Sequence, residues 1–293
     1  MRFIVFLFLI LFDSRLAEFV VHIQYFKVRL TKPIEYGTFT LKRIDTRAEW
    51  STRVYNRRGE NLREDEILAK VRRFFDGPAG SVEYESASIT RYFGVEFAYV
   101  VAKHNVTHMI FENLCSQMKP KLSSIMMEQS RKPSRIEFVV DHPSASFAIP
   151  LGFRAALVGC SEYKIRIGGR AYLDPDNFLC DAVINTQNLV VTQGGEVRSG
   201  FDADTLLSIK SPNVVIEGRN IIGIDDVKQL VEEWLNDKRV IGSWQIDVDD
   251  DVRDTWEAYY RKNATTLKIE LKRGRLELAT FETPDERDFV FEN

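Results

Sequence analysis

The sequence predicts an α/β protein: a smaller mixed α/β N-terminal region over residues 18–130, then a strand–helix repeat array over residues 131–285 closed by a β-hairpin. Three observations predict it. Short apolar-alternating runs recur through the C-terminal half, a stretch of helical character follows most of them, and the last two runs flank a basic-Gly turn.

The strand-like runs are "IEFVV" from Ile136, "IRI" from Ile165, "LVVT" from Leu189, "VVIE" from Val214, "WQIDV" from Trp244 and "LKIEL" from Leu267. Their starts step by 29, 24, 25, 30 and 23 residues. Between them lie "PLGFRAALVGC", "PDNFLCDAVIN", "DADTLLSI", "DDVKQLVEEWL" and "VRDTWEAYY", most of which begin near Asp or Pro, as helix N-termini do. A strand-plus-helix unit of this length is the mark of a leucine-rich-repeat-like solenoid, because so small a unit buries its apolar face only by stacking on its neighbours. An ordinary α/β domain with a parallel sheet gives the same alternation.

Period-2 alternation assigns the faces. Ile136, Phe138, Val140, Ile165, Ile167, Trp244, Ile246 and Val248 point inward; Glu137, Arg166, Glu217, Gln245, Asp247, Lys268 and Glu270 line the exposed strand face and are the candidate partner-binding residues. "IGIDDVKQLVEEWLNDKRV" is an outer helix: Val227, Leu230, Val231, Trp234 and Leu235 share one face, and Asp225 and Asp226 occupy the first turn, where carboxylates suit the helix dipole. "TTLKIELKRGRLELATFE" is a hairpin with Gly274 in its turn, capping the last sheet edge. Residues 286–293 are a tail.

In the N-terminal region, "FVVHIQYFKVRL" and "YGTFTLKRI" read as strands. "REDEILAKVRRFF" reads as an amphipathic helix with Ile67, Val71 and Phe74 on one side, stopped by Gly77-Pro78. Thr107 to Gln129 reads as a helix kinked at Pro120. Residues 1–17 have the charged start and apolar run of a signal peptide, too short to span a bilayer. Asn105 and Asn263 begin glycosylation sequons, used only in a secreted chain. No later segment has the length of a transmembrane span, so both a cytoplasmic and a secreted protein stay open.

Composition excludes some classes. An apolar content of 44% supports a real core, and a net charge of −3 with 40 basic and 43 acidic residues spread along the chain gives no nucleic-acid footprint. Cys115, Cys160 and Cys180 form neither a disulfide framework nor a zinc set and read as buried thiols. His104 and His108 have the helix-face spacing of a metal pair, but without a third ligand they read as surface or helix-start histidines. "DVDDDVRD", Asp247 to Asp254, lacks the Gly of a calcium loop and reads as a strand end followed by a helix start. "IGGR" and "TQGGEVRSG" lack the glycine order that cradles phosphate and read as inter-unit turns. No catalytic constellation, metal site or cofactor motif emerges, and the chain is expected to be no enzyme.

The segments "NVVIEGRNIIGIDDVKQLVEEWLND" and "KIELKRGRLELATFE" resemble the repeat-containing F-box-associated regions of nematode F-box proteins, over about residues 130–285. The resemblance implies a region that recognises target proteins for ubiquitin ligases. In that family an N-terminal F-box docks the ligase adaptor; no "LPxxxLxxIL" segment precedes the repeat here, so what the resemblance implies is a protein-binding module. The expected function is therefore non-enzymatic protein interaction. A secreted binder on the same fold, and an enzyme with an unrecognised site, are the alternatives.

Overall fold

The structure is a computed structural model, and the residues described are 17–28, 34–56, 61–129, 131–141, 146–147, 158–168, 172–173, 180–194, 201–218, 220–248 and 255–282. They are α/β: thirteen strands pair in mixed parallel and antiparallel fashion, two more form a separate pair, and there are six helices. Two compact units change over between Phe138 and Val139.

In the N-terminal unit, β1 (Glu18–Val28), β2 (Ile34–Arg43) and β3 (Glu49–Asn56) form an antiparallel meander. Helix α1 (Glu64–Phe75) crosses over to β4 (Gly80–Ser86), parallel to β3. Helix α2 (Ile89–Lys103) leads to β5 (Asn105–Glu112), parallel to β1, and α3 (Met118–Glu128) leads to β6 (Arg135–Val140). Sequence dictates the helix starts: the Glu66 carboxylate accepts the Arg63 N–H at 2.7 Å, and Ser88 Oγ accepts the Arg91 N–H at 3.3 Å. Aromatic packing fills the core, with Phe39 edge-on to Phe75 and Phe93 at ring separations of 5.8 and 6.2 Å. Gly37 makes room for the Phe93 ring, whose Cε2 would lie 2.4 Å from an added Cβ.

Two expectations are corrected in this unit. Thr107–Gln129 is not one kinked helix: Thr107–Glu112 continues β5, with Val106, Met109 and Phe111 buried, and α3 starts only at Met118. Pro120 therefore falls in the first turn of α3, where the missing N–H has no intrahelical role. On α1 the buried residues are Ile67, Val71 and Phe75, one position beyond the expected Phe74.

In the C-terminal unit, β7 (Ser146–Phe147) and β9 (Tyr172–Leu173) form the separate parallel pair. Strands β8 (Glu162–Ile167), β10 (Asn188–Gln193), β11 (Asn213–Glu217) and β12 (Ser243–Asp247) lie parallel and adjacent, in sequence order. Helices α4 (Asp181–Ile184), α5 (Ala203–Ser208) and α6 (Ile224–Leu235) fall between successive strands. An antiparallel meander of β13 (Trp256–Lys262), β14 (Thr265–Lys272) and β15 (Arg275–Glu282) finishes the unit, β15 pairing with β12. The β14–β15 turn has left-handed residues at Arg273 (φ 53°) and Gly274 (φ 75°), as a two-residue hairpin requires.

Alternation decides what is buried. Tyr163, Ile165, Ile167, Leu189, Val191, Val214, Ile216, Trp244, Ile246 and Val248 are buried, and so are Leu267, Ile269, Leu271, Leu276 and Leu278 of the meander. Helix α6 buries Val227, Leu230, Val231 and Trp234; Leu235 is exposed rather than on that face. Asp226 Oδ2 accepts the Gly223 N–H at 2.8 Å, closing the first turn. One expected helix is a strand instead: "VRDTWEAYY" yields β13 from Trp256, whose pairing with β14 buries Ala258 and overrides the helix-start signal of its single aspartate.

The leader, most of "PLGFRAALVGC", Gly169-Arg170, residues 195–200, Asp249–Asp254 and the tail lie outside the described residues.

Candidate interaction face

Because inward side chains alternate with outward ones, the parallel strands and the meander carry a second, mostly polar face in register, with Val190 and Val215 the apolar residues between Lys164 and Gln245. Arg166, Thr192 and Glu217 stand side by side on β8, β10 and β11. Asp247 on β12 stands opposite Arg275 on β15. Thr192 Oγ1 donates to Glu217 Oε2 at 3.4 Å, and Arg275 Nη2 comes within 3.9 Å of Glu217 Oε1. Arg275 Nε donates to Asp247 Oδ1 at 3.0 Å while the Gly218 N–H donates to Asp247 Oδ2 at 2.8 Å. Both oxygens of Asp247 are thus held, and its hydrogen bond raises the Arg275 guanidinium above its ordinary value.

A second row runs Gln245, Glu277, Glu270 and Glu257 across β12, β15, β14 and β13. Three glutamates in line would repel one another. Lys268 relieves this, with Nζ 2.6 Å from Glu270 Oε2 and 3.5 Å from Glu257 Oε1. Lys272 also bonds Glu270. The Lys268 hydrogen bond, then that of Lys272, holds the Glu270 carboxyl down to about 2, and Glu270 in turn raises Lys268 to about 12.

Of the expected face residues, Arg166 is exposed, and Glu217, Gln245, Asp247, Lys268 and Glu270 are half-buried on this face. Glu137 is corrected: it belongs to the N-terminal unit, only 9% exposed, with its carboxylate 4.0 Å from His108 Nε2. The reason is that β6 is buried on both sides, Ile136 to Val140 without a break, so alternation does not mark an open face there. Of the sequon residues, Asn263 is exposed at the β13–β14 turn with φ 55°, whereas Asn105 is half-buried at the start of β5.

Arg275 was not among the expected residues. Its signal was present, since a two-residue turn at Arg273-Gly274 sets it opposite Lys272. A second group legible only in three dimensions is Glu96 on α2, 1% exposed, beside buried Thr52 and Tyr92. Burial pushes the Glu96 carboxyl well above the carboxylate range, an effect that the neighbouring Thr52 hydroxyl only partly opposes.

His104 and His108 do not share a helix face. His104 ends α2, packs 4.8 Å from the Phe19 ring, and burial pushes its imidazole down to about 4; His108 stands on β5. Cys160 and Cys180 are buried, Cys115 is half-buried, and all three are free thiols. Among the described residues no group of three or more His, Cys, Asp or Glu is placed to hold a metal ion, and no helix is long and apolar enough to cross a membrane.

The fold and face define an α/β protein with a polar sheet surface. No family model, no curated protein and no solved structure matches the chain.

Proposed function

We propose that the chain is a non-enzymatic protein-interaction module, and that its C-terminal unit is a leucine-rich-repeat-like array binding a protein target on the polar strand face. The observation that carries this reading is the ordered face itself: outward residues on successive strands lie in register, partly exposed and, at Glu217, Asp247 and Arg275, held by ion pairs, while the alternate residues form the core. Charged and polar groups held in place bind with little loss of side-chain entropy.

Equivalent bonds from unit to unit support the repeat reading. Thr186 Oγ1 donates to Cys160 O, Ser211 Oγ to Ile184 O at the end of α4 and Arg239 Nη1 to Ile209 O, each from the segment before one strand to the segment before the preceding one. Asn188 Nδ2 donates to Ser161 O at 3.3 Å, and Asn213 Nδ2 to Asn188 Oδ1 at 3.0 Å. A glycine follows β8, β10 and β11 alike, at Gly168, Gly194 and Gly218. Resemblance to nematode F-box-associated regions supplies the narrower version, a target-recognition module of a ubiquitin ligase.

The test is capture of partners from cells by the full chain and by an Arg166→Glu/Glu217→Arg/Gln245→Ala variant with an unchanged melting curve. A set of proteins retained by the wild type and lost by the variant is expected; identical capture by both overturns the face. Direct binding to the ligase adaptor tests the narrower version, and its absence removes that version alone. The exposed Asn263 favours one second reading, a secreted binder. A glycosidase-sensitive mass shift is its expected sign, and an unmodified cytosolic chain rules it out.

A further inference from the structure

The meander ends on β13, beyond which no described strand lies. Natural edge strands are blunted by proline, bulges or brevity, because a free row of N–H and C=O groups templates pairing. β13 lacks these three and carries only the charges of Glu257, Arg261 and Lys262 as a guard: "WEAYYRK" pairs with β14 through seven residues in unbroken register, and it is rich in strand-forming aromatics.

Hairpin geometry fixes which groups face outward. A two-residue turn at Asn263-Ala264 makes Lys262 and Thr265 a hydrogen-bonded pair. Counting back, Tyr260, Ala258 and Trp256 bond β14, and Glu257, Tyr259 and Arg261 turn their N–H and C=O to the open edge. Side chains of these three share one face, because they alternate.

That triplet is self-complementary. A second β13, run antiparallel about a two-fold axis at Tyr259, sets Glu257 against Arg261 of the second copy and Arg261 against its Glu257. The two Tyr259 residues face each other between them. The three pairs are all of the hydrogen-bonded kind, giving six backbone bonds, and opposite charges meet directly on both sides of the axis. Within its own chain, Glu257 Oε1 receives Tyr259 OH at 2.8 Å and lies 3.5 Å from Lys268 Nζ, and Arg261 Nε donates to Asn263 O at 3.4 Å, so each brings a group already held on this face to the contact. The edge strand of the N-terminal unit lacks this property: the same operation about Tyr84 on β4 sets Glu83 against Glu85.

We propose that the chain self-associates through β13, forming an antiparallel two-fold strand pair centred on Tyr259. The contact is small, so the dimer is weak and concentration-dependent, and it joins two copies of the polar face edge to edge. It is independent of whether that face binds a target.

Sedimentation velocity of the full chain over a concentration series tests it. The mass is expected to rise from 33.9 kDa toward twice that value. Glu257→Arg and Arg261→Glu each bring like charges together at both ends of the contact and weaken association at least ~10-fold; the double variant restores opposite charges in swapped positions and restores the dimer. Both substituted side chains lie outside the core, so unchanged melting curves accompany these results. A chain monomeric at every concentration, single variants that associate like wild type, or a double variant that stays monomeric overturns the proposal.

Discussion

Arg239 reaches back along the chain to Glu233 on α6, its Nε and Nη2 lying 3.0 and 2.6 Å from Glu233 Oε2. The same guanidinium gives Nη1 to Ile209 O and Nη2 to Leu207 O, both at 2.7 Å, and stands over the Trp244 ring at 5.5 Å. One buried side chain thus ties the end of α5, the end of α6 and the first inward residue of β12. Only a planar fork does this, since a lysine has a single nitrogen to share. Arg239→Ala leaves two carbonyls without this donor and Glu233 with only Lys210, 3.9 Å away, and is expected to cost about 2–4 kcal/mol. Urea unfolding measures it, and Arg239→Lys should recover only part of the loss.

Glu96 makes stability depend on pH in a defined direction. Unfolded, its carboxyl titrates near the ordinary 4.5; folded, burial raises it well above that value. Above the ordinary value the unfolded chain releases a proton that the folded chain keeps, so the contribution of Glu96 falls as pH rises. Below it, both states are protonated and the contribution is constant. Glu96→Gln is neutral at every pH. The stability of the variant relative to wild type should therefore grow between pH 5 and pH 8, and a difference independent of pH would refute this account.

Gly218 and Gly194 end neighbouring strands but differ in tolerance. Gly218 has φ +105°, and a Cβ there would lie 2.4 Å from Gln193 O. Gly218→Ala is expected to lose roughly 1–3 kcal/mol or more, from the backbone conformation and the contact together. At Gly194 the nearest atom to an added Cβ is Ile167 O at 3.7 Å, an ordinary distance, so Gly194→Ala should stay within about 0.5 kcal/mol of wild type. Thermal melts of the two variants check the contrast.

The lysines around Glu270 are expected to show in a carboxyl titration. Followed by NMR, Glu270 should titrate with a midpoint about 2, and Lys268→Ala should raise it further than Lys272→Ala does, because Lys268 supplies the larger effect. Equal shifts in the two variants would count against the arrangement.

Much of this was legible as period. Inward alternation named Ile165, Ile167, Trp244, Ile246 and Val248, and all are buried. Turn chemistry at Arg273-Gly274 likewise named the last hairpin. Where two local signals competed, the sequence misled. "VRDTWEAYY" carries a helix-start aspartate, Asp254, and a strand-forming aromatic run together, and pairing with β14 decides between them. "NVTHMIF" alternates over too few residues to stand out beside the helical stretch that follows it. Glu137 and Glu96 were beyond reach for another reason: what surrounds them comes from strands and helices far away in sequence, and no local pattern records it.

The asparagines at the strand starts have a consequence for how this chain tolerates change. Asn188 bonds Ser161 O and is bonded in turn by Asn213. Excising Asn188–Pro212 would bring another asparagine, Asn213, to the same carbonyl, ahead of another valine-rich strand. The join is chemically the one already there. On the proposed repeat reading, the natural increment of variation here is a block of about 25 residues, and relatives are expected to differ in length by such steps.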